Sequence, residues 1–239
     1  MFPMQTLTRS QAAEYDRQCS TQWAIPSLAL MAHASAECAL SVLRSLPTPP
    51  PRVLVLCGPG NNGGDGYAIV RALFSHGVEA RACAVVPPAH GGDAAVMHEA
   101  ACRLDLLLPW TACDAWASSI DCVLIDALLG TGASRAPDGE LRAAIRWLNA
   151  RRAAGAEVIA IDVPSGLDAD CGAPFAGGDA VHATRTLTMV AAKSGFAAPS
   201  AAKFVGDTEV LSIGGPPLDR VPSLPLIPPC THPSSPTAI

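Results

Sequence analysis

Several things are missing from this sequence of 239 residues, and each absence excludes something. Charged residues make up only 15% of the chain against 49% hydrophobic residues. Yet no run of about 18 apolar residues exists, so no segment reads as a membrane span. The longest candidate, Ala24 to Ala34, is too short. The N-terminal stretch MFPMQTLTRSQAAEYDRQ has no signal-type apolar region and reaches its first acids at Glu14 and Asp16, which disfavours secretion or organelle import. There is no basic excess. The net charge of −5 argues against a nucleic-acid surface. The nine cysteines include no C-x-x-C pair. Cys38, Cys57, Cys83 and Cys122 sit in apolar runs, so buried reduced thiols in a cytoplasmic protein are expected, not disulfides or zinc. No Gly-Lys-Ser/Thr follows a glycine loop, which excludes a P-loop, and Pro164-Ser165-Gly166 lacks the first glycine of a nucleophile elbow.

What is present is an alternation. Thr8-Arg9-Ser10-Gln11 forms a capping box that opens a first helix through about Cys19, and Pro26 suits the first turn of a second. PTPPP at 47–51 is a linker no helix crosses. Then come the strand VLVLC, a helix from Tyr67 to His76, the strand EARACAVV, a helix from Gly92 to Leu104, a candidate strand LDLLL and a short helix from Asp114 to Ser119. The strand CVLID, a helix from Glu140 to Ala150 and the strands VIAID, TLTMV and TEVLSI complete the pattern. Apolar strands alternating with amphipathic helices specify an α/β class. The expected architecture is a Rossmann-like three-layer sandwich around a mostly parallel sheet. From Gly214 the chain carries eight prolines in 26 residues and reads as a Pro-rich tail without stable structure, so the domain is set at 1–213 and the tail at 214–239.

Three strands end in polar loops. VLVLC runs into Gly58-Pro59-Gly60-Asn61-Asn62-Gly63-Gly64-Asp65, VLI into Asp126 and then Gly130-Thr131-Gly132, and VIAI into Asp162 and then Pro164-Ser165-Gly166. Strand C-termini of a parallel sheet share one edge, where ligands bind, so Asn62, Asp126, Asp162 and Ser165 are expected to converge. Each also has a purely structural reading, as a helix cap or a turn. The segment 58–63 matches G-x-G-x-x-G, but the next strand ends in Val-Val-Pro-Pro, without the acid a dinucleotide site places on the ribose.

GPGNNGGDG, DALLGTG and IDVPSGLDAD, with LTRSQAAEYDRQ, IPSLALM and TLTMVAAKSGF, together resemble the NAD(P)H-hydrate epimerase family, also called the YjeF N-terminal domain family. The resemblance covers about residues 5–213. It implies an isomerase that interconverts the R and S forms of hydrated NADH and NADPH (NADHX and NADPHX), in metabolite repair coupled to an S-specific dehydratase. A chain of this length is expected not to hold that dehydratase. The resemblance further implies a homodimer and one potassium ion held by Asn62, Asp126 and Ser165. Substrate-binding positions carry over to Asn61, Asn62, Gly63, Gly64 and Asp65, to Gly130, Thr131, Gly132, Ala133, Ser134, Arg135 and Ala136, and to Asp162. Hard oxygen donors from an amide, a carboxylate and a serine suit an alkali ion. Asp162 is the expected general acid/base, and Lys193 reads as either a phosphate contact or a surface lysine. The chain departs from the family pattern at Ala32-His33, Thr184 and Ala192. Two alternatives stand beside this reading: a nicotinamide-dependent oxidoreductase, from the glycine match, and a non-catalytic binding protein on the same fold.

Overall fold

The computed structural model describes residues 6–221. In chain order the elements are β1 (Thr6–Leu7), α1 (Arg9–Gln22), α2 (Ser27–Ser45), β2 (Val53–Cys57), α3 (Asn61–Ser75), β3 (Ala80–Ala84), α4 (Gly92–Arg103), α5 (Cys113–Trp116), β4 (Val123–Ala127), α6 (Gly139–Ala153), β5 (Val158–Ile161), β6 (Arg185–Met189), β7 (Ala192–Lys193), α7 (Ala202–Val205) and β8 (Asp207–Leu211). The six-stranded sheet has the order β3-β2-β4-β5-β6-β8 and every pairing is parallel. From β2 the chain moves first to one side, to β3, and then to the other, to β4. The crevice at the carboxyl ends of β2 and β4 is therefore a topological switch point. β1 and β7 form a separate parallel pair, with Leu7 opposite Lys193.

The central strands read as continuous apolar runs because both faces are covered. Every residue of β2, β4 and β5 is buried, including Cys57, Val123, Val158 and Ile159. Val53, Val55 and Cys57 face a layer built from α2, α3 and α4, with Met31, Val42, Tyr67 and Met97. Leu54, Leu56 and Leu124 face α5 and α6, with Cys113, Ile145 and Leu148. Full burial of one such leucine contributes about 1.5–3 kcal/mol. At the start of the chain, Thr8 and Gln11 complete the expected capping box: Gln11 N–H donates to Thr8 Oγ1 at 3.3 Å and Thr8 N–H to Gln11 Oε1 at 2.9 Å.

The largest departure from the sequence reading is α3. It begins at Asn61, not Tyr67, so the glycine stretch is the first turns of a helix and not a loop. Packing overrides glycine's poor helix propensity. A Cβ on Gly63 would overlap the Gly58 carbonyl, and one on Gly66 would lie 2.7 Å from Ala127 Cβ and Cys57 Sγ. Only glycine lets this helix start so close to the sheet. Elsewhere, LDLLL is not a strand and makes only an isolated bridge between Ala82 and Leu107, and EARACAVV is a strand only over Ala80–Ala84. The short helix spans Cys113–Trp116 after a 3-10 turn at Trp110–Ala112.

The chain also stays packed beyond Gly214, where the tail was expected to begin. Tyr15 Oη donates to the Pro216 carbonyl at 2.8 Å, and Leu218 and Val221 pack against Tyr15, Cys19 and Leu30. The remainder of the expected tail lies outside the described residues. No helix among those residues is long and apolar enough to cross a membrane.

Candidate active site

A cleft of about 530 Å³ opens at the carboxyl edge of the sheet, a volume usual for small-molecule sites. Its walls come from α1, the start of α2, the first turns of α3, the loop after β4 and the turn between β6 and β7. Of the residues read from the sequence, Asn61, Asn62, Asp65, Gly130, Thr131, Gly132, Ala133 and Asp162 line it. Gly63 and Gly64 do not; they serve the close packing of α3, where a Cβ on Gly64 would come 2.9 Å from Ala94 Cα and Met31 Sδ. Ser134, Arg135 and Ala136 line an adjoining groove of about 250 Å³ that shares Pro59, Leu129, Gly132 and Ala133 with the cleft. Arg135 there is 82% exposed and pairs with Asp138 at 3.2 Å.

Asp162 is the most constrained residue of the site. It follows β5 with φ 65°, a left-handed conformation that aspartate tolerates better than most residues. Its N–H donates to the Leu187 carbonyl at 2.7 Å. Its side chain is 15% exposed and meets Lys193 Nζ through Oδ1 at 2.7 Å, while Oδ2 accepts from Thr131 N–H at 3.2 Å. Burial pushes this carboxyl up, but the Lys193 charge and the hydrogen bonds outweigh it and hold Asp162 below the ordinary carboxylate value. Val190, another wall residue, also has positive φ, at 67°. A β-branched residue in that conformation is strained, and such strain persists where surrounding structure fixes a functional site.

Lys193 is neither a surface lysine nor free for a phosphate. It is 1% exposed and donates to Thr188 Oγ1 at 2.7 Å, to the Met189 carbonyl at 3.1 Å and to the Ala191 carbonyl at 3.2 Å, besides pairing with Asp162. It reaches this place because β7 pairs with β1 at the edge of the cleft.

Asp126 and Ser165 lie beneath the cleft and do not line it. Both are fully buried. Asp126 Oδ1 accepts from Ser165 Oγ at 2.6 Å and from Leu128 N–H at 3.2 Å, and Oδ2 accepts from Ser165 N–H at 2.8 Å. Burial pushes the Asp126 carboxyl up to about 6, with these hydrogen bonds opposing. The pair ties the end of β4 to the loop after β5. Asn62 stands nearer the cleft. A Cβ on Gly130 would lie 3.3 Å from Asn62 Oδ1 and 3.1 Å from Asp162 Oδ2, so glycine there lets these two side chains approach one another. Among the described residues neither polar atom of the buried Asn62 side chain has a hydrogen-bond partner, and leaving such a group unpaired costs about 1–3 kcal/mol.

Sequence reasoning missed the contribution of α1. Arg9, Ala12, Ala13 and Asp16 line the cleft, and their i, i+3, i+4, i+7 spacing is the available signal that one helix face meets the site. Arg9 Nε donates to the Thr131 carbonyl at 2.8 Å, and Arg9 N–H to Asp170 Oδ1 at 2.7 Å. Asp16 sits at the rim, where burial by its neighbours and the Asp162 charge push its carboxyl up to about 6. Asp168 and Asp170 stay outside the cleft: Asp168 closes its own turn by accepting from Asp170 N–H at 2.8 Å. The departure Thr184 has a structural use, since its Oγ1 accepts from Val158 N–H at 3.0 Å.

Residues 27–195 match the model of the family described as YjeF-related protein N-terminus. Among similar proteins, the NAD(P)H-hydrate epimerase of Rhodopirellula baltica is 34% identical over 88% of this chain and 84% of its own length. That of Lentilactobacillus buchneri is 32% identical over 88% and 94%. The bifunctional NAD(P)H-hydrate repair enzyme Nnr of Pyrobaculum aerophilum is 37% identical over 90% of this chain, which spans only 42% of that longer protein. The crystal structure of yeast ynu0 superposes with a TM-score of 0.73 at 18% identity, covering 87% of this chain and 88% of that one, a likeness of fold. By its switch-point cleft and by these matches, the chain belongs to the YjeF-related protein N-terminus family.

Proposed function

We infer that this chain is an NAD(P)H-hydrate epimerase, interconverting the R and S hydrates NADHX and NADPHX for an S-specific dehydratase. The observation that carries the reading is Asp162, held ionised by Lys193 on the wall of a cleft at the switch point. Relatives bearing that activity in their names, at about one-third identity over most of the chain, support it.

The substrate carries a hydroxyl on C6 of the reduced nicotinamide, beside N1. The N1 lone pair expels that hydroxyl once a proton reaches it, and water returns to C6 from the other face. Asp162 serves as general acid/base. Its ionised form suits the return step, in which a carboxylate takes a proton from water, and it places negative charge near the cationic ring formed on the way. Lys193 acts through Asp162, fixing its charge and direction. Amides at the first turn of α3 suit the diphosphate. The groove at Ser134, Arg135 and Ala136 suits a more distant part of the nucleotide.

A potassium ion fits the residues present. Asn62 Oδ1 is buried without a partner, and Asp126 is a fully buried carboxylate with no salt bridge among the described residues. Asn62, Asp126 and Ser165 would hold the ion, all through hard oxygens. Bound there, it would supply positive charge that keeps Asp126 ionised beneath the substrate. The proposal includes a homodimer and a cytoplasmic location, the latter suited by the buried free thiols Cys38, Cys57 and Cys83.

The test is exchange of purified R hydrate into S, followed by NMR or chromatography. Acceleration above the spontaneous rate without loss of reduced nicotinamide is expected. Loss of the reduced chromophore would instead favour an oxidoreductase, and no acceleration a binding protein. Asp162→Asn is expected to fold and to lose the enzyme-driven rate; full turnover in that variant would refute the assignment.

A further inference from the structure

Asp65 lines the cleft from the second turn of α3, where the resemblance implies a substrate contact but no part in the reaction itself. Among the described residues its one side-chain hydrogen-bond partner is Ser35 on α2. The Ser35 hydroxyl lies 2.7 Å from the Met31 carbonyl and 3.1 Å from Asp65 Oδ1. A hydroxyl has one proton, and a carbonyl oxygen can only accept. At 2.7 Å the Met31 bond has the usual O–H···O length, the back-bond a serine makes to residue i−4 within a helix. The Ser35 proton is therefore committed to Met31. The contact with Asp65 closes as a hydrogen bond when Asp65 brings the proton.

The surroundings agree. The charged groups on the cleft wall are Arg9 and Asp16 on α1, Asp93 on α4, and Asp162 with Lys193; Cys38 on α2 also lies close enough to feel the Asp65 charge. Lys193 is paired with Asp162, and Arg9 turns its Nε to the Thr131 carbonyl. Among the described residues no salt bridge reaches Asp65. Burial pushes its carboxyl well above the ordinary range, and the negative charges of Asp162 and Asp16 push it the same way. A hydroxyl donated by Ser35 would pull downward, but Met31 holds that proton.

We propose that Asp65 is a second catalytic carboxyl of this cleft, entering the cycle protonated and giving its proton to the C6 hydroxyl as that group leaves, while Asp162 enters ionised. The role rests on the epimerase reading. In the first half, the N1 lone pair forms the N1=C6 bond. The C6–O bond breaks with its electron pair going to oxygen, and oxygen takes the Asp65 proton and departs as water. In the second half, a water oxygen bonds C6 from the opposite face, the N1=C6 pair returns to N1, and Asp162 takes the water proton. Nothing is oxidised or reduced. The pair ends with its protonation exchanged, ready for the opposite direction. Two carboxyls with environments that push their protonation apart are how one site runs acid and base steps together.

The experiment measures exchange kinetics of the full chain with R hydrate across pH, for wild type and Asp65→Asn. The variant should keep KM while kcat falls by about 10²–10⁴-fold, the usual contribution of a positioned acid or base. Wild-type kcat should fall as pH rises through the folded pKa of Asp65, and this limb should be missing from the residual rate of the variant. A full rate in Asp65→Asn, or the same limb, overturns the role while leaving the epimerase reading intact. A wild type that does not accelerate exchange removes both. Should Asp65→Asn not fold, infrared spectra of the wild type at about pH 8, where Asp16 and Asp126 are ionised, decide: a protonated-carboxyl band supports the role, and its absence overturns it.

Discussion

Removing Lys193 should convert a quiet buried ion pair into a destabilising, uncompensated carboxylate. Lys193→Met keeps the length and apolar body of the side chain and deletes only the ammonium. Asp162 then loses its partner at 2.7 Å while staying 15% exposed, and three acceptors, Thr188 Oγ1 and the Met189 and Ala191 carbonyls, lose their donor. Breaking a buried pair from one side costs about 3–5 kcal/mol. The cost should depend on pH, with a definite sign. In the wild type the Asp162 pKa is depressed, so its contribution to stability is complete above the ordinary carboxylate value and is lost as pH falls through the folded pKa. In Lys193→Met only the Thr131 hydrogen bonding still opposes burial, the pKa rises, and the deficit is largest above that raised value and shrinks in acid. Urea unfolding between mildly acidic and neutral pH reads this directly. The double variant Lys193→Met/Asp162→Asn should recover much of the loss, because no charge is left uncompensated. A single variant that loses under about 1 kcal/mol, the range of an exposed pair, or whose loss does not vary with pH, would refute this account of the site.

Two further outcomes follow from the same geometry. Asp126 rises to about 6 when only protein surrounds it, so without a cation stability should drop as pH rises from about 4 to 6, by roughly 3 kcal/mol at 1.36 kcal/mol per pKa unit. Potassium should flatten that drop relative to a large organic cation, and melting curves that do not differ between the two salts would remove the proposed ion. Gly63→Ala should destabilise by about 1–3 kcal/mol, since its Cβ overlaps the Gly58 carbonyl, whereas Gly60→Ala, with open space around it, should stay within about 0.5 kcal/mol; equal melting temperatures for the two variants would show that α3 does not start where described.

The sheet was legible because burial on both faces forces continuous apolar runs, and VLVLC, CVLID and VIAID mark themselves. Parallel order then places Asn62, Asp126, Asp162 and Ser165 at one edge without further information. What did not show was tertiary. Asn61-Asn62-Gly63-Gly64 has the composition of a loop, and only the backbone of Gly58 and the side chains of Cys57 and Ala127 make a helix with small residues the fitting solution. LDLLL has the composition of a strand, yet it meets β3 only in an isolated bridge at Ala82, whose N–H donates to the Leu106 carbonyl and whose carbonyl accepts from Leu108 N–H. Lys193 carries no local sign of burial, because its partners come from β6, from the end of β5 and, through pairing, from β1. Asp126 and Ser165 were grouped with the cleft residues, and sequence gave no means to see that they satisfy each other one layer below.

The short pairing of β1 with β7 has a consequence in time. Leu7 lies opposite Lys193, so a residue ahead of every strand of the main sheet sits in register with one that follows all but the last of them. Closing so long a loop comes late in folding, after nearer contacts are secured. The nascent chain can therefore build β2, β3, β4 and β5 while the acid at Asp162 still lacks its cation. The reacting centre becomes complete only when the two ends of the domain meet, and a chain interrupted before that point carries a sheet without a finished site.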